Sequence, residues 1–111
     1  MAEPTLIPVP DVADALGTDV LKVRQMLRDG GLLGVRGEDG ILRIPAEFIR
    51  DGAVLKGLAG TLTLLRDNGF DDQAALRWLY ADDDTLPGSP VQALAGNRLR
   101  EVRRRAQATA W

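Results

Sequence analysis

Cysteine and histidine are both absent from the 111 residues, and Ser89 is the only serine. Those absences remove most catalytic repertoires. Without His or Cys there is no Ser-His or Cys-His nucleophile pair, and no side chain whose ordinary pKa lies near neutrality. Without thiols there is neither a disulfide framework nor a thiolate metal site. Asp82-Asp83-Asp84 lacks the glycine-punctuated spacing of a calcium loop and reads as a solvated turn. No apolar run approaches the length of a membrane span. The opening Met1-Ala2-Glu3-Pro4 has neither the positive n-region nor the apolar h-region of a signal peptide. The expectation is a soluble cytoplasmic protein that is not an enzyme, binds no cofactor or metal and touches no membrane.

A basic excess is missing too. The net charge is −2 and the pI about 5.0, whereas nucleic-acid-binding domains usually carry a basic balance. The distribution changes this picture. Between Lys22 and Arg50 six basic residues face four acidic ones, and between Val91 and Trp111 five arginines face the single Glu101. The acids concentrate at Asp11, Asp14 and Asp19, at Asp71 and Asp72, and at Asp82 to Asp84. A chain polarised in this way can meet a polyanion through one face, with binding that is weak and steeply salt-dependent.

What is present, at 45% hydrophobic content, suffices for the modest core of one domain, or of a small domain with a helical extension. Within Val9 to Leu27, Ala13, Gly17 and Val23 are spaced as in a helix-turn-helix, with Val12, Leu16, Met26 and Leu27 around them. Ala13 is small enough for the closest approach of two helices, and Gly17 tolerates a positive φ in the turn. Val23 and Met26 then anchor a second helix over residues 19–29, whose opposite face carries Lys22, Arg24, Gln25 and Arg28 and is available to a major groove. A plain helical hairpin satisfies the same spacing. Leu21 is an awkward apolar residue on that face, suited to a thymine methyl or to burial by a partner subunit.

Asp29-Gly30-Gly31 stops this helix, and residues 33–44 read as a β-hairpin turning at Glu38-Asp39-Gly40. The period of two puts Leu33, Val35, Leu42 and Ile44 on one side and turns Arg36 and Arg43 away from the core. A hairpin behind a recognition helix is a wing, and two outward arginines suit phosphate or minor-groove contact. Pro45 to Asp51 then forms a short helical turn closed by Gly52.

The rest reads as helical. Leu58, Leu62 and Leu65 form an apolar stripe ending at Asn68-Gly69. Asp71-Asp72 caps a second stripe of Ala75, Leu76, Leu79 and Tyr80, with Trp78 on its flank. Ser89-Pro90-Val91-Gln92 combines a capping box with proline at the first helical position, and Gly96-Asn97 breaks that helix. A last helix over 98–108 points Leu99, Val102 and Ala106 inward, and Arg98, Arg103, Arg104 and Arg105 mostly outward. These arginines suit a helix C-terminus or a second phosphate-gripping surface. Trp111 docks on the core or stays free.

The runs Val12-Ala13-Asp14-Ala15-Leu16-Gly17, Lys22-Val23, Leu27-Arg28-Asp29-Gly30, Ile44-Pro45, Leu58-Ala59-Gly60-Thr61-Leu62-Thr63, Arg77-Trp78-Leu79 and Arg100 to Ala108 together carry a resemblance. They resemble the small actinobacterial winged helix-turn-helix DNA-binding family known from mycobacteria, over nearly the whole chain. The N-terminal half is also similar to MerR and excisionase-type winged modules. The resemblance implies binding of double-stranded DNA by the recognition helix and wing, here through Lys22, Arg24, Gln25, Arg28, Arg36 and Arg43. The geometry of base edges then suits Gln25 to adenine and Arg24 or Arg28 to guanine, with Lys22, Arg36 and Arg43 on phosphates.

The expected fold is mainly α with a small β-hairpin wing: a winged helix-turn-helix over residues 1–51 and a C-terminal helical region over 52–111 packed on it. The expected function is sequence-dependent DNA binding in transcription regulation, at the nucleoid. A rival reading comes from Trp78-Leu79, Leu86 to Pro90, Ala93-Leu94 and the closing helix, which look like the C-terminal module of helix-turn-helix antitoxins. On that reading the C-terminal helices bind a protein partner or a second copy of the chain.

Overall fold

The computed structural model describes residues 4–83, 86 and 88–109. Trp111 and Asp84 lie outside the described residues. Strand β1, Leu6–Pro8, leads directly into α1, Val9–Leu16, where Pro10 occupies the first turn and its missing N–H costs nothing. Gly17 ends α1 in the left-handed region at φ 68°, and Asp19 opens α2, Val20–Asp29, by accepting the Lys22 amide on its side chain at 2.8 Å. Val12, Ala13 and Val23 are all buried where the two helices meet. The helix-turn-helix expected from Ala13, Gly17 and Val23 is therefore present, with Asp19 as the cap of the second helix.

The hairpin is also present, but with a different register. Strands β2, Val35–Arg36, and β3, Leu42–Pro45, pair Val35 with Arg43 and Arg36 with Leu42. Arg36 and Arg43 thus lie on opposite faces of the hairpin, and Arg43 shares its face with Val35; both were expected to turn the same way. The cause is the turn. Gly37 and Ile41 close it with Gly37 N–H donating to the Ile41 carbonyl at 3.0 Å, and Gly40 N–H returns to the Gly37 carbonyl at 3.0 Å. Gly40 sits at φ 78°, which makes a three-residue loop with a glycine bulge. An odd loop shifts the pairing by one residue, and a one-residue shift exchanges the faces.

Three further strands were not expected. β1 adds to the outer side of β3, pairing Ile7 with Ile44, so the wing is the edge of a three-stranded antiparallel sheet in the order β1-β3-β2. After β3 a single 3-10 turn, Ala46–Phe48, buries Phe48, and then β4, Ile49–Arg50, and β5, Ala53–Val54, form a second hairpin. The expected helical turn through Asp51 is thus confined to three residues. Asp51 at φ 53° and Gly52 at φ 78° make the tight two-residue turn that a right-twisted hairpin prefers.

Among the described residues four helices follow: α3, Leu58–Asp67; α4, Asp72–Tyr80; α5, Pro90–Ala95; and α6, Leu99–Ala108. Leu58, Leu62 and Leu65 are fully buried, as their spacing requires. Asp71 caps α4 by accepting the Ala74 amide at 2.8 Å, and Ser89 with Gln92 forms the capping box of α5. α3 packs most extensively on α6, with Val102 and Ala106 buried between them and the rest of the core. One cluster of buried apolar side chains runs from Val9 to Ala106 through both halves of the chain. Among the described residues no helix is long and apolar enough to cross a membrane.

Candidate nucleic-acid interface

Helix α2 presents its face by simple periodicity. Val23 is buried and Val20, Met26 and Leu27 are half-buried, so at 100° per residue the outward centre falls on Leu21, Gln25 and Arg28, spaced i, i+4, i+7. Lys22 and Arg24 flank that ridge on its two sides, and both are exposed. Leu21 is the most exposed large hydrophobic residue described, at 76%. The four polar candidates of this helix therefore share one solvent-facing surface, and among the described residues none of them is held in an ion pair within the fold.

The two wing candidates are differently placed. Arg36 donates from Nη1 to the Gly40 carbonyl at 2.8 Å and remains exposed. Arg43 is half-buried and grips Asp39 with both terminal nitrogens, at 3.2 and 2.8 Å. The hydrogen bond from Arg43, then that from the Ile41 amide, hold the Asp39 carboxyl below the ordinary carboxylate range, and the same carboxylate raises the Arg43 guanidinium. The wing therefore offers one arginine to solvent and holds the second in a bidentate pair with an acid of its own turn. Ile41 adds a 47% exposed apolar side chain beside that turn.

The arginines of α6 divide in the same way. Arg98 pairs with Glu101 at 3.2 Å, and Arg105 reaches Asp83 with Nε and Nη2 at 3.1 to 3.2 Å. Arg105 is thus turned onto the loop between α4 and α5, where a mostly outward orientation was expected. Arg100, Arg103 and Arg104 are exposed.

Three contacts between distant segments had no local signal. Tyr80 Oη donates to Glu47 Oε1 at 2.9 Å while its ring stacks at 6.4 Å on Phe48, joining α4 to the 3-10 turn. Burial first, then Glu47, raises the Tyr80 hydroxyl above the usual tyrosine value. Arg50 donates to the Ala95 carbonyl at 2.6 Å. Arg66 donates to the Gly30 carbonyl at 2.8 Å and to Asp72 at 3.3 Å. Their partners lie 33, 45 and 36 residues away for Tyr80, Arg50 and the Arg66 contact with Gly30, separations at which periodicity and capping rules are silent.

Comparison with known proteins matches both halves of the chain. Residues 1–49 match the family described as DNA-binding protein Rv2175c, wHTH domain, and residues 55–110 match the Rv2175c C-terminal domain of unknown function. The DNA-binding protein Rv2175c of Mycobacterium tuberculosis is 42% identical, over 98% of this chain and 82% of its own length. The NMR structure of Rv2175c superposes with a TM-score of 0.87 at 39% identity, covering the whole of this chain and 84% of that one.

Proposed function

Since the chain belongs to the Rv2175c family, we propose that it binds double-stranded DNA through α2 and the wing and acts as a transcriptional regulator at the nucleoid in the cytoplasm. The observation that carries this reading is the outward face of α2. Leu21, Lys22, Arg24, Gln25 and Arg28 project from a helix whose other side is locked to α1 through Val23. A major groove accepts such a helix, and its side chains then read base edges.

Within the face, Gln25 and Arg28 lie on the central ridge and are assigned to bases, Gln25 to adenine and Arg28 to guanine, with Arg24 as the second guanine candidate. Leu21, in the first turn of the same ridge, is assigned to a thymine methyl. Lys22 at the edge of the ridge and Arg36 on the wing are assigned to phosphates. Arg43 is assigned to phosphate as well, through a guanidinium shared with Asp39. No cofactor or catalytic role is assigned.

The antitoxin-like reading gains no support from the packing. Leu79, Leu86, Val91, Ala93 and Leu94 are buried in the chain's own core, and Ser89 and Pro90 are accounted for by the capping box.

Fluorescence anisotropy with a random-sequence duplex across a salt series tests the proposal. Binding should fall steeply with salt and be weaker in Arg28→Ala and Arg43→Ala. With a selected binding sequence in hand, Arg28→Ala should lose discrimination between sequences, by about 1–3 kcal/mol. Arg43→Ala should weaken all sequences alike. No binding at low salt overturns the reading, and equal effects of the two variants on specific and random DNA overturn the division of roles.

A further inference from the structure

We infer that the C-terminal region acts on DNA binding as a brace for the recognition helix, through Arg66. This rests on the reading of α2 as that helix. Arg66 lies in the last turn of α3, and its guanidinium spans two acceptors on different elements: Nη1 donates to the carbonyl of Gly30, and Nη2 to Asp72 in the first turn of α4. Gly30 is the residue on which α2 ends. Its amide bonds back to the Leu27 carbonyl at 3.3 Å, and the next amide, of Gly31, bonds to the Met26 carbonyl at 3.0 Å, the paired closure of a helix whose last residue turns left-handed. That closure leaves the Gly30 carbonyl pointing outward, and a cation placed there is favoured by the dipole of α2 as well as by the hydrogen bond.

The seat is fitted closely. Gly30 holds φ 85°, a backbone conformation that favours glycine, and a Cβ added there would lie 2.6 Å from Arg66 Nη1, so a side chain at residue 30 would also displace the end of the guanidinium. The Arg66 side chain is 30% exposed and that of Asp72 56%. The pair itself therefore contributes little; what matters is where it puts the end of α2. Arg28, the proposed guanine reader, is two residues from Gly30, in the last turn of the same helix. A base contact depends on placement to a fraction of an ångström, so a brace at the helix end acts on Arg28 without touching DNA. Arg66 is thus a positioning residue.

Amide hydrogen exchange and anisotropy with a random-sequence duplex, on the full chain and on Arg66→Ala, test the inference together. The expected result is faster exchange at Gly30, Gly31 and the last turn of α2, with the three-stranded sheet unchanged. Duplex binding should be about five- to tenfold weaker, with an unchanged slope of affinity against salt. Unaltered exchange at the end of α2 overturns the brace whatever the DNA result. A salt slope reduced by about one also overturns it, because Arg66 would then contact a phosphate directly. If Arg66→Ala loosens the sheet too, Arg66→Lys carries the same comparison, since an ammonium keeps the charge but lacks the fork that spans both acceptors. A wild-type chain that binds no duplex defeats the DNA reading alone, and exchange at Gly30 and Gly31 still decides the brace.

Discussion

Tyr80 is the single tyrosine of the chain, so its ionisation can be followed without interference. Its hydroxyl is raised above the reference value of 10.0, first by burial and then by the Glu47 carboxylate. An acid whose folded pKa is raised keeps its contribution to stability below the unfolded pKa and loses it as pH rises through the folded one. The tyrosinate absorbance of the folded protein should therefore rise well above pH 10, and alkaline unfolding should begin once the unfolded chain ionises there. Glu47→Gln should move the transition down without restoring the reference value, since burial, the larger cause, remains. A wild-type midpoint near 10 would show that Tyr80 is exposed. At the same scale, Gly30→Ala meets both a left-handed φ and the Arg66 guanidinium. It should cost about 1–2 kcal/mol from the backbone alone, readable as a lowered urea midpoint.

Among elements, the wing is where sequence and structure diverge most usefully. Alternation correctly located two strands around Glu38-Asp39-Gly40, yet whether a loop holds an even or an odd number of residues decides every face assignment. That choice depends on Gly40 taking the left-handed bulge position. Arg43 consequently pairs with Asp39, which restrains the wing's positive charge. Asp39→Asn keeps an acceptor for the Ile41 amide and removes the charge. It should bind random duplex more tightly than wild type and with a salt slope steeper by about one; an unchanged slope would mean that Arg43 does not reach phosphate. The capping box of α5 was legible because its signal is local: Ser89, Pro90 and Gln92 satisfy orphan amides within one turn. Ser89→Ala should lower stability by about 1 kcal/mol, measured by thermal or urea unfolding, with DNA binding intact under folded conditions.

For the whole molecule, the decisive feature is that the core does not respect the division between the two matched regions. Phe48 at the end of the winged part stacks on Tyr80 of α4, Arg50 holds the end of α5, and buried residues from Val9 to Ala106 form one cluster. We therefore expect the intact chain to unfold in a single transition by calorimetry. A fragment of residues 1–51 should lack cooperative unfolding, since it strips Tyr80 from Phe48, which is fully buried in the intact chain. Two resolved transitions, or a cooperatively folded fragment, would defeat that expectation.

The amino-acid sequence by itself determined the helices, their caps and the face of α2. Each depends on residues within about two turns of one another, and side-chain period and orphan amides act over that range. Only the tertiary structure decided the third strand β1, the register of the wing, the pairing of Arg43 and Arg105 with acids, and the seat of Arg66 on Gly30. β1 and the seat of Arg66 join segments 35 or more residues apart, brought together by burial of a common core, and apolar burial is non-directional and carries no sequence period of its own. The other two follow from how an odd loop sets the strand register and from where the Asp39 and Asp83 carboxylates lie once the backbone is in place.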